Sequence, residues 1–280
     1  MVRDLSHAAG QLTALGFNLT ARSYHTVPNP DGSLRPAGTA NHCAMLQRGY
    51  LEVIAVTDPS AESFSRNEIG GFAARFEGLH LLAIGTASAG EVEARLNMWA
   101  EPFVAARSLH RKVDTPDGPR DASFRLIIVP QLSGSDITFF FIEHQTAELL
   151  WTPESMVHPN GATGLLELIV VDNNLETTGL LYEKAFGIGP TEGDGILSFA
   201  LDRSRFLVLT EMAALRHFGA PVPTHDLPHC AGQAVEVADL SMTAALLTSK
   251  AVPFTRAGGR LTIAPEFAGG AFLQFAEAEI

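Results

Sequence analysis

Cysteine is scarce in this chain, two in 280 residues, and Cys43 and Cys230 lie far apart. Neither has a CxxC partner, so both read as buried thiols rather than as a disulfide, a redox pair or a zinc knuckle. Charge is sparse at 18% and acidic in balance, a formal −12. No Lys/Arg cluster is present beyond the pair Arg111-Lys112, which excludes nucleic acid as a main partner, because phosphate recognition needs clustered cations. No apolar run has the length of a membrane span. The opening MVRDLSHAAG has no signal-peptide core. A reducing, cytoplasmic setting is therefore the expected location. The hydrophobic share is 46%, which belongs to a globular chain able to bury one or two cores.

Several stretches carry strong local patterns. Asp4 to Phe17 predicts a helix, with Leu5, Ala8, Ala9, Leu12 and Leu15 near helical spacing, Ser6 as a possible cap and Gly16 as the stop. Thr20 to Gly38 reads as a loop, with β structure possible from Asn18 to His25. Gly38 to Leu46 and Tyr50 to Thr57 read as a hairpin turning at Gln47-Arg48-Gly49, and residues 60–77 as a helix. A strand (Gly78 to Gly85), a helix (Ser88 to Ala100) and strands at Phe103 to Val113, Ala122 to Val129 and Ile137 to His144 follow. The second half repeats the plan. Strand Gly164 to Val171 leads to helix Leu175 to Phe186 and strands Ile196 to Leu201 and Arg205 to Glu211. Then come strand Gln233 to Val237, helix Leu240 to Ser249 and a terminal hairpin, Arg260 to Ala264 with Gly270 to Ala276. Four similar units of roughly 60 to 80 residues emerge. One such unit cannot bury its small sheet alone, so units should pair.

Polar residues in apolar strands are the candidate chemistry. Glu52 interrupts YLEVIAV, His80 interrupts GLHLLAIG, and Glu143-His144 end the aromatic run Phe139-Phe140-Phe141-Ile142. A buried carboxylate or imidazole must be paired, hydrogen-bonded or metal-bound. Taken alone, a strand histidine such as His80 reads as a hydrogen-bonded core or edge residue. Glu52 alone reads as an outward-facing strand position. Trp151 and His158-Pro159-Asn160 read as anchors of a connector. His217, His225 and His229 are loosely spaced in a proline-rich stretch that reads as a surface loop rather than a zinc site.

The unit plan together with GTANHCAMLQRGYLEVIAV, GLHLLAIGT, FFFIEHQTAELLW and HPNGATGLLEL resembles the glyoxalase-like branch of the vicinal oxygen chelate superfamily, which also holds bleomycin-resistance proteins and extradiol dioxygenases. The likeness is strongest over residues 38–175. It implies an α+β fold of tandem βαβββ units paired into two cup-shaped mixed-sheet domains. The expected division is 1–155, with the candidate metal site, and 156–280, a degenerate copy whose ligand positions carry Glu167, Glu211, Gly232 or Gln233, and Gln274. The resemblance also implies a divalent metal, Zn, Fe, Mn or Ni, held by Glu52, His80 and either Glu143 or His144. Strand alternation lets only one of the last two face the cup. His144, which shares its face with Phe140 and Ile142, gives the set Glu52, His80, His144, and Glu143 remains its rival. Glu52 and Glu143 are the candidate catalytic bases, and His42 and Phe141 the candidate substrate contacts. By this resemblance the first strand of the first unit is apparently missing: its histidine would fall before Met1, so the expectation is either that the start lies further upstream or that the chain has at most three ligands. The implied functions are a metal-dependent lyase, isomerase or dioxygenase acting on vicinal oxygens, or a metal-free small-molecule binder. A small-molecule ligand and a homodimer are the expected partners.

Overall fold

Asp4, not Ser6, caps the first helix. Its carboxylate accepts the His7 N–H at 2.9 Å, and the helix α1 (Leu5–Ala14) buries Leu5, Ala8 and Leu12 on one stripe. In this computed structural model, residues 1–29, 31–61, 70–99, 103–115, 118–134, 136–202 and 204–278 are described. After α1 come β1 (Ser23–Pro28), β2 (Leu34–Met45) and β3 (Tyr50–Val56). The hairpin β2–β3 is longer than its sequence pattern, and β1 lies in the stretch read mainly as loop. The helix expected over 60–77 is described only as α2 (Gly70–Arg75); residues 62–69 of that expectation lie outside the described residues.

Three complete βαβββ segments follow. The first is β4 (Leu81–Gly85), α3 (Ala89–Asn97), β5 (Val104–Thr115), β6 (Gly118–Ile128) and β7 (Thr138–His144). The second is β8 (Ala162–Val171), α4 (Leu175–Phe186), β9 (Thr191–Gly193), β10 (Ile196–Ala200) and β11 (Arg205–Leu209). The third is β12 (His229–Val237), α6 (Leu240–Ser249), β13 (Thr255–Ala257), β14 (Arg260–Ile263) and β15 (Phe272–Ala276). Between the last two lies α5 (Glu211–Phe218). Its sequence was expected as a strand end followed by a loop. The Thr210 hydroxyl caps it by accepting the Ala213 N–H at 3.2 Å, and Gly219, at φ +70°, ends it. Among the described residues, the segment before β4 has α1, β1, β2, β3 and α2 and begins with the helix rather than a strand. Residues 1 and 2 stand beside it in extended contact, with the Val2 N–H on Ile54 O at 2.9 Å and the Gly78 N–H on Met1 O at 3.1 Å. The fold class is α+β, as expected.

The chain divides into two compact units that are not its successive halves. One comprises Met1–Gly78, Trp151–Leu165 and Val235–Ile280, the other Leu79–Leu150 and Leu166–Ala234. The boundary expected at 155/156 falls inside the 151–165 segment of the first unit. Within the first unit, Leu5 and Leu12 of α1 and Leu240 and Leu247 of α6 belong to one core cluster.

In the first unit, α1 packs Leu5 and Leu12 with Ala40, Leu51 and Val53 of the three-stranded sheet β1-β2-β3. Leu247 of α6 and Leu273 and Phe275 of β15 belong to the same cluster. In the second, β4-β7-β6-β5 form a sheet with β7 parallel to β4. Leu82, Leu96, Phe139 and Phe141 pack there with Tyr182, Phe199 and Phe206. Tyr182 and Phe206 approach to 4.5 Å between ring centroids. Each fully buried large apolar side chain of this kind contributes about 1.5–3 kcal/mol.

Candidate functional site

The β2–β3 register sets which side chains share a face in the first unit. Cys43 stands opposite Glu52, His42 opposite Val53 and Asn41 opposite Ile54. Val53 belongs to the core that α1 covers, so His42 points to that side. Its Nδ1 hydrogen-bonds Thr20 O at 2.8 Å, while the Cys43 N–H donates to Thr20 Oγ1 at 3.0 Å. His42, expected as a substrate contact, here ties the 18–20 segment to β2. Glu52 lies on the opposite face, half-buried, and accepts a hydrogen bond from Asn41 Nδ2. Asn41 Oδ1 is buried with no hydrogen-bond partner.

The connector anchors are where the sequence placed them. Trp151 Nε1–H donates to Leu46 O at 2.9 Å. His158 Nδ1 accepts the Asn18 N–H at 3.1 Å, so the proton sits on Nε2, which donates to Met45 O at 2.7 Å. Burial lowers the pKa of this ring despite the carbonyl at its Nε2. Asn160 Nδ2 donates to Leu15 O at 2.9 Å.

In the second unit the β4–β7 register pairs Leu82 with Phe139 and Ala83 with Phe140. Leu82, Phe139 and Phe141 enter the main core. Ala83, Phe140 and Ile142 belong to a separate cluster on the other face. His144 falls on that second face, with its ring edge-on to Phe124 at 5.4 Å. Burial, and then the Arg111 charge, push its pKa down to about 4, so the ring is neutral at neutral pH. Glu143 falls on the core face, where its Oε2 accepts the Ala89 N–H at 2.7 Å, at the start of α3. Phe141, expected as a substrate contact, is instead core. It is 3% exposed, edge-on to Phe139 at 5.5 Å, with the Arg95 guanidinium 5.6 Å from its centroid.

His80 is fully buried, and its Nδ1 hydrogen-bonds Asp136 O at 2.8 Å. Continuing the alternation back from Leu82 puts His80 on the core face, opposite to His144. It is level with residue 137 of the parallel partner. His144 is seven residues further along, roughly 20 Å at the usual strand rise. A metal–nitrogen bond is about 2 Å, so these two histidines do not share an ion. Among the described residues no group of three or more His, Cys, Asp or Glu is placed to hold a metal. The donors present do not fit the chelating set that the resemblance implied.

The two acidic ligand positions of the third segment are engaged structurally. Glu167, at a ligand position of the third segment, is 1% exposed and pairs with Arg205 Nη2 at 2.6 Å. His217 Nε2 stands 3.8 Å from its other oxygen. His217 thus lies on α5 rather than in a loop. Glu211, at the other ligand position, opens α5 and accepts from Asn173 Nδ2 at 2.7 Å. His229 opens β12, almost wholly buried and edge-on to His225 at 5.2 Å.

Sequence reasoning missed a cavity of about 560 Å³ in the first unit. It lies between the first turn of α1, β1, and the ends of β2 and β3. Arg22, Tyr24 and His25 come from the β1 side, Arg3 and Ser6 from the helix, and Thr39 from β2. His25 sits where the β1–β2 pairing shifts register between Tyr24 and Thr26; such a bulge re-aims a side chain. His25 Nδ1 hydrogen-bonds Thr39 Oγ1 at 2.8 Å. Gly38 at the cavity's edge has φ +77°, and a Cβ there would stand 2.6 Å from Asp58 O. The lining residues are scattered along residues 3–58 with no motif spacing, so only the fold assembles them.

A family model described as "Glyoxalase-like domain" matches residues 1–186. No curated protein matches. A hypothetical protein from Staphylococcus aureus is similar in structure, with a TM-score of 0.58 and 15% identity over 91% of this chain and 90% of that one. A mutant of 4-hydroxymandelate synthase from Streptomyces coelicolor aligns with a TM-score of 0.59 and 15% identity, over 100% of this chain and 92% of that one. A xylose isomerase-like TIM barrel/4-hydroxyphenylpyruvate dioxygenase fusion protein aligns at 0.60 and 11%, covering 98% of this chain and 47% of its own. At these identities the likeness concerns the fold. No helix among the described residues is long and apolar enough to cross a membrane.

Proposed function

Because this chain belongs to the glyoxalase-like domain family of the vicinal oxygen chelate superfamily, we propose that it is a small-molecule-binding protein that holds its ligand in the first unit's cavity without a chelated metal. The observation that carries this reading is the cavity itself. Its volume, about 560 Å³, is within the usual range for small-ligand sites, and its wall is at least as polar as apolar, with Arg3, Asp4, Arg22, His25 and Asp58 beside Leu5, Pro36 and Val56. The placement of the donors supports the metal-free half of the reading: Glu143 holds a helix start, and His80 and His144 lie on opposite faces of one sheet.

A second reading has one observation in its favour. His144 is held neutral beside Phe124 and Ile142, and a neutral imidazole on that face is what a metal ligand of a lyase, isomerase or dioxygenase requires. The test is fragment binding by ligand-observed NMR, on protein stripped with chelator and on a Thr57→Trp variant that fills the cavity rim. Binding that survives chelation and is lost in Thr57→Trp supports the proposal. Binding that needs added metal and ignores Thr57→Trp overturns it.

A further inference from the structure

We propose that the ligand of this cavity is a small carboxylate with a flat apolar body, anchored on Arg22; the assignment rests on the cavity reading above. Four charged side chains line the cavity besides His25: Arg3, Arg22, Asp4 and Asp58. Three of them are committed elsewhere. Arg3 spends its Nε on Ala73 O at 2.8 Å and its Nη2 on Ala74 O at 3.5 Å. Asp4 caps α1 through the His7 N–H. Asp58 closes its own turn, accepting from the Ser60 N–H at 2.9 Å and the Ser60 hydroxyl at 2.6 Å. Arg22 differs. Among the described residues its guanidinium has one hydrogen bond, from Nη2 to Ser6 Oγ at 2.9 Å.

A guanidinium has five N–H donors in a planar fork. One bond to Ser6 leaves most of that fork for a ligand, and the fork matches the two oxygens of a carboxylate. The Ser6 hydroxyl accepts from Arg22, so its own proton is available to the same anion. Asp4 lies close enough to Arg22 to feel its charge, so the site is not a broad positive field. It favours a singly charged, directionally bonded group over a multiply charged one.

The rest of the wall sets the body of the ligand. Tyr24 is 62% exposed at the cavity, and its ring offers a face for stacking at the usual aromatic spacing. Leu5, Pro36 and Val56 supply apolar surface on the remaining sides. A flat apolar body against Tyr24, with its carboxylate on Arg22 and Ser6, satisfies both halves of the cavity.

The test uses benzoate and its uncharged analogue benzamide, titrated into the full chain after chelator treatment. Dissociation constants are measured by calorimetry for the wild type, Arg22→Gln and Thr57→Trp, with melting temperatures to verify folding. Benzoate should bind the wild type about tenfold or more tighter than benzamide. Arg22→Gln, at an exposed residue, should erase that preference while leaving the melting temperature in place. Equal binding of the two probes, binding of neither, or a preference that survives Arg22→Gln overturns the carboxylate assignment. The cavity reading fails separately, if probe binding is unchanged in Thr57→Trp.

Discussion

The Glu143 carboxylate accepts the backbone N–H of Ala89 at 2.7 Å, across 54 residues of sequence. This bond satisfies one of the donors that α3 would otherwise leave open at its start, beside the Ser88 cap on Glu91. It also places a negative charge at the positive end of the helix. Glu143→Ala should cost about 1 kcal/mol, the usual loss for a cap, read as a shifted urea midpoint. Glu143→Gln should lose less, since its amide oxygen still accepts. A stable Glu143→Ala protein with altered metal affinity would contradict the structural role.

Arg205 neutralises a carboxylate that has almost no water. Glu167 is 1% exposed, with Arg205 at 2.6 Å. Removing the cation alone leaves a buried charge, so Arg205→Ala should destabilise by about 3 kcal/mol. Adding Glu167→Gln should recover part of that loss. Equal losses in the single and double variants would show that the two residues do not depend on one another.

Acid should weaken the fold through its buried imidazoles. Burial chiefly pushes His229 down to about 4. His225 adds to the shift, and Asp136, Glu211 and the Asp226 carbonyl oppose it. His144 is likewise pushed down to about 4. The ordinary histidine value is 6.5, so between about 6.5 and 4 the unfolded chain binds protons that the folded chain does not. Stability is therefore fully present above about 6.5 and is lost as pH falls towards 4. Denaturation midpoints between pH 7 and 4 check this, and His229→Leu should flatten the slope. A flat wild-type profile over that range would contradict it.

Much of this was legible in the sequence, for reasons that particular residues show. The run of aromatic and β-branched residues from Ile137 to Ile142 identified β7, and Leu175 to Phe186 with Gly187 gave α4 to the residue. Their signals are local. The first cap was misplaced by two residues because Asp4 and Ser6 both have capping side chains, and only the backbone at Asp4, extended at φ −119°, ψ 106°, decides. α5 had a readable signal, Thr210 before Glu211 with Gly219 after Phe218, but the preceding strand pattern ran into it. The candidate site was less legible. Period two says that Glu143 and His144 point to opposite faces, not which face is open. His80 lies one residue outside β4, so its direction depends on the pairing with β7. The cavity depends on a register shift at His25 and on the meeting of α1 with β1, neither of which leaves a pattern in the chain.

His80 tests the site directly. Its ring is fully buried and bonded to Asp136 O, so His80→Ala removes packing and this hydrogen bond. The expected loss is about 2–4 kcal/mol of stability.

On the proposed metal-free reading, His80 and His144 serve the fold and not a chelated ion. Elemental mass spectrometry of the purified chain, beside His80→Ala and His144→Ala, tests it most directly. After equilibration with zinc, iron, manganese or nickel and dialysis, no stoichiometric metal should depend on either histidine. About one equivalent of a transition metal, lost in both variants, would contradict it.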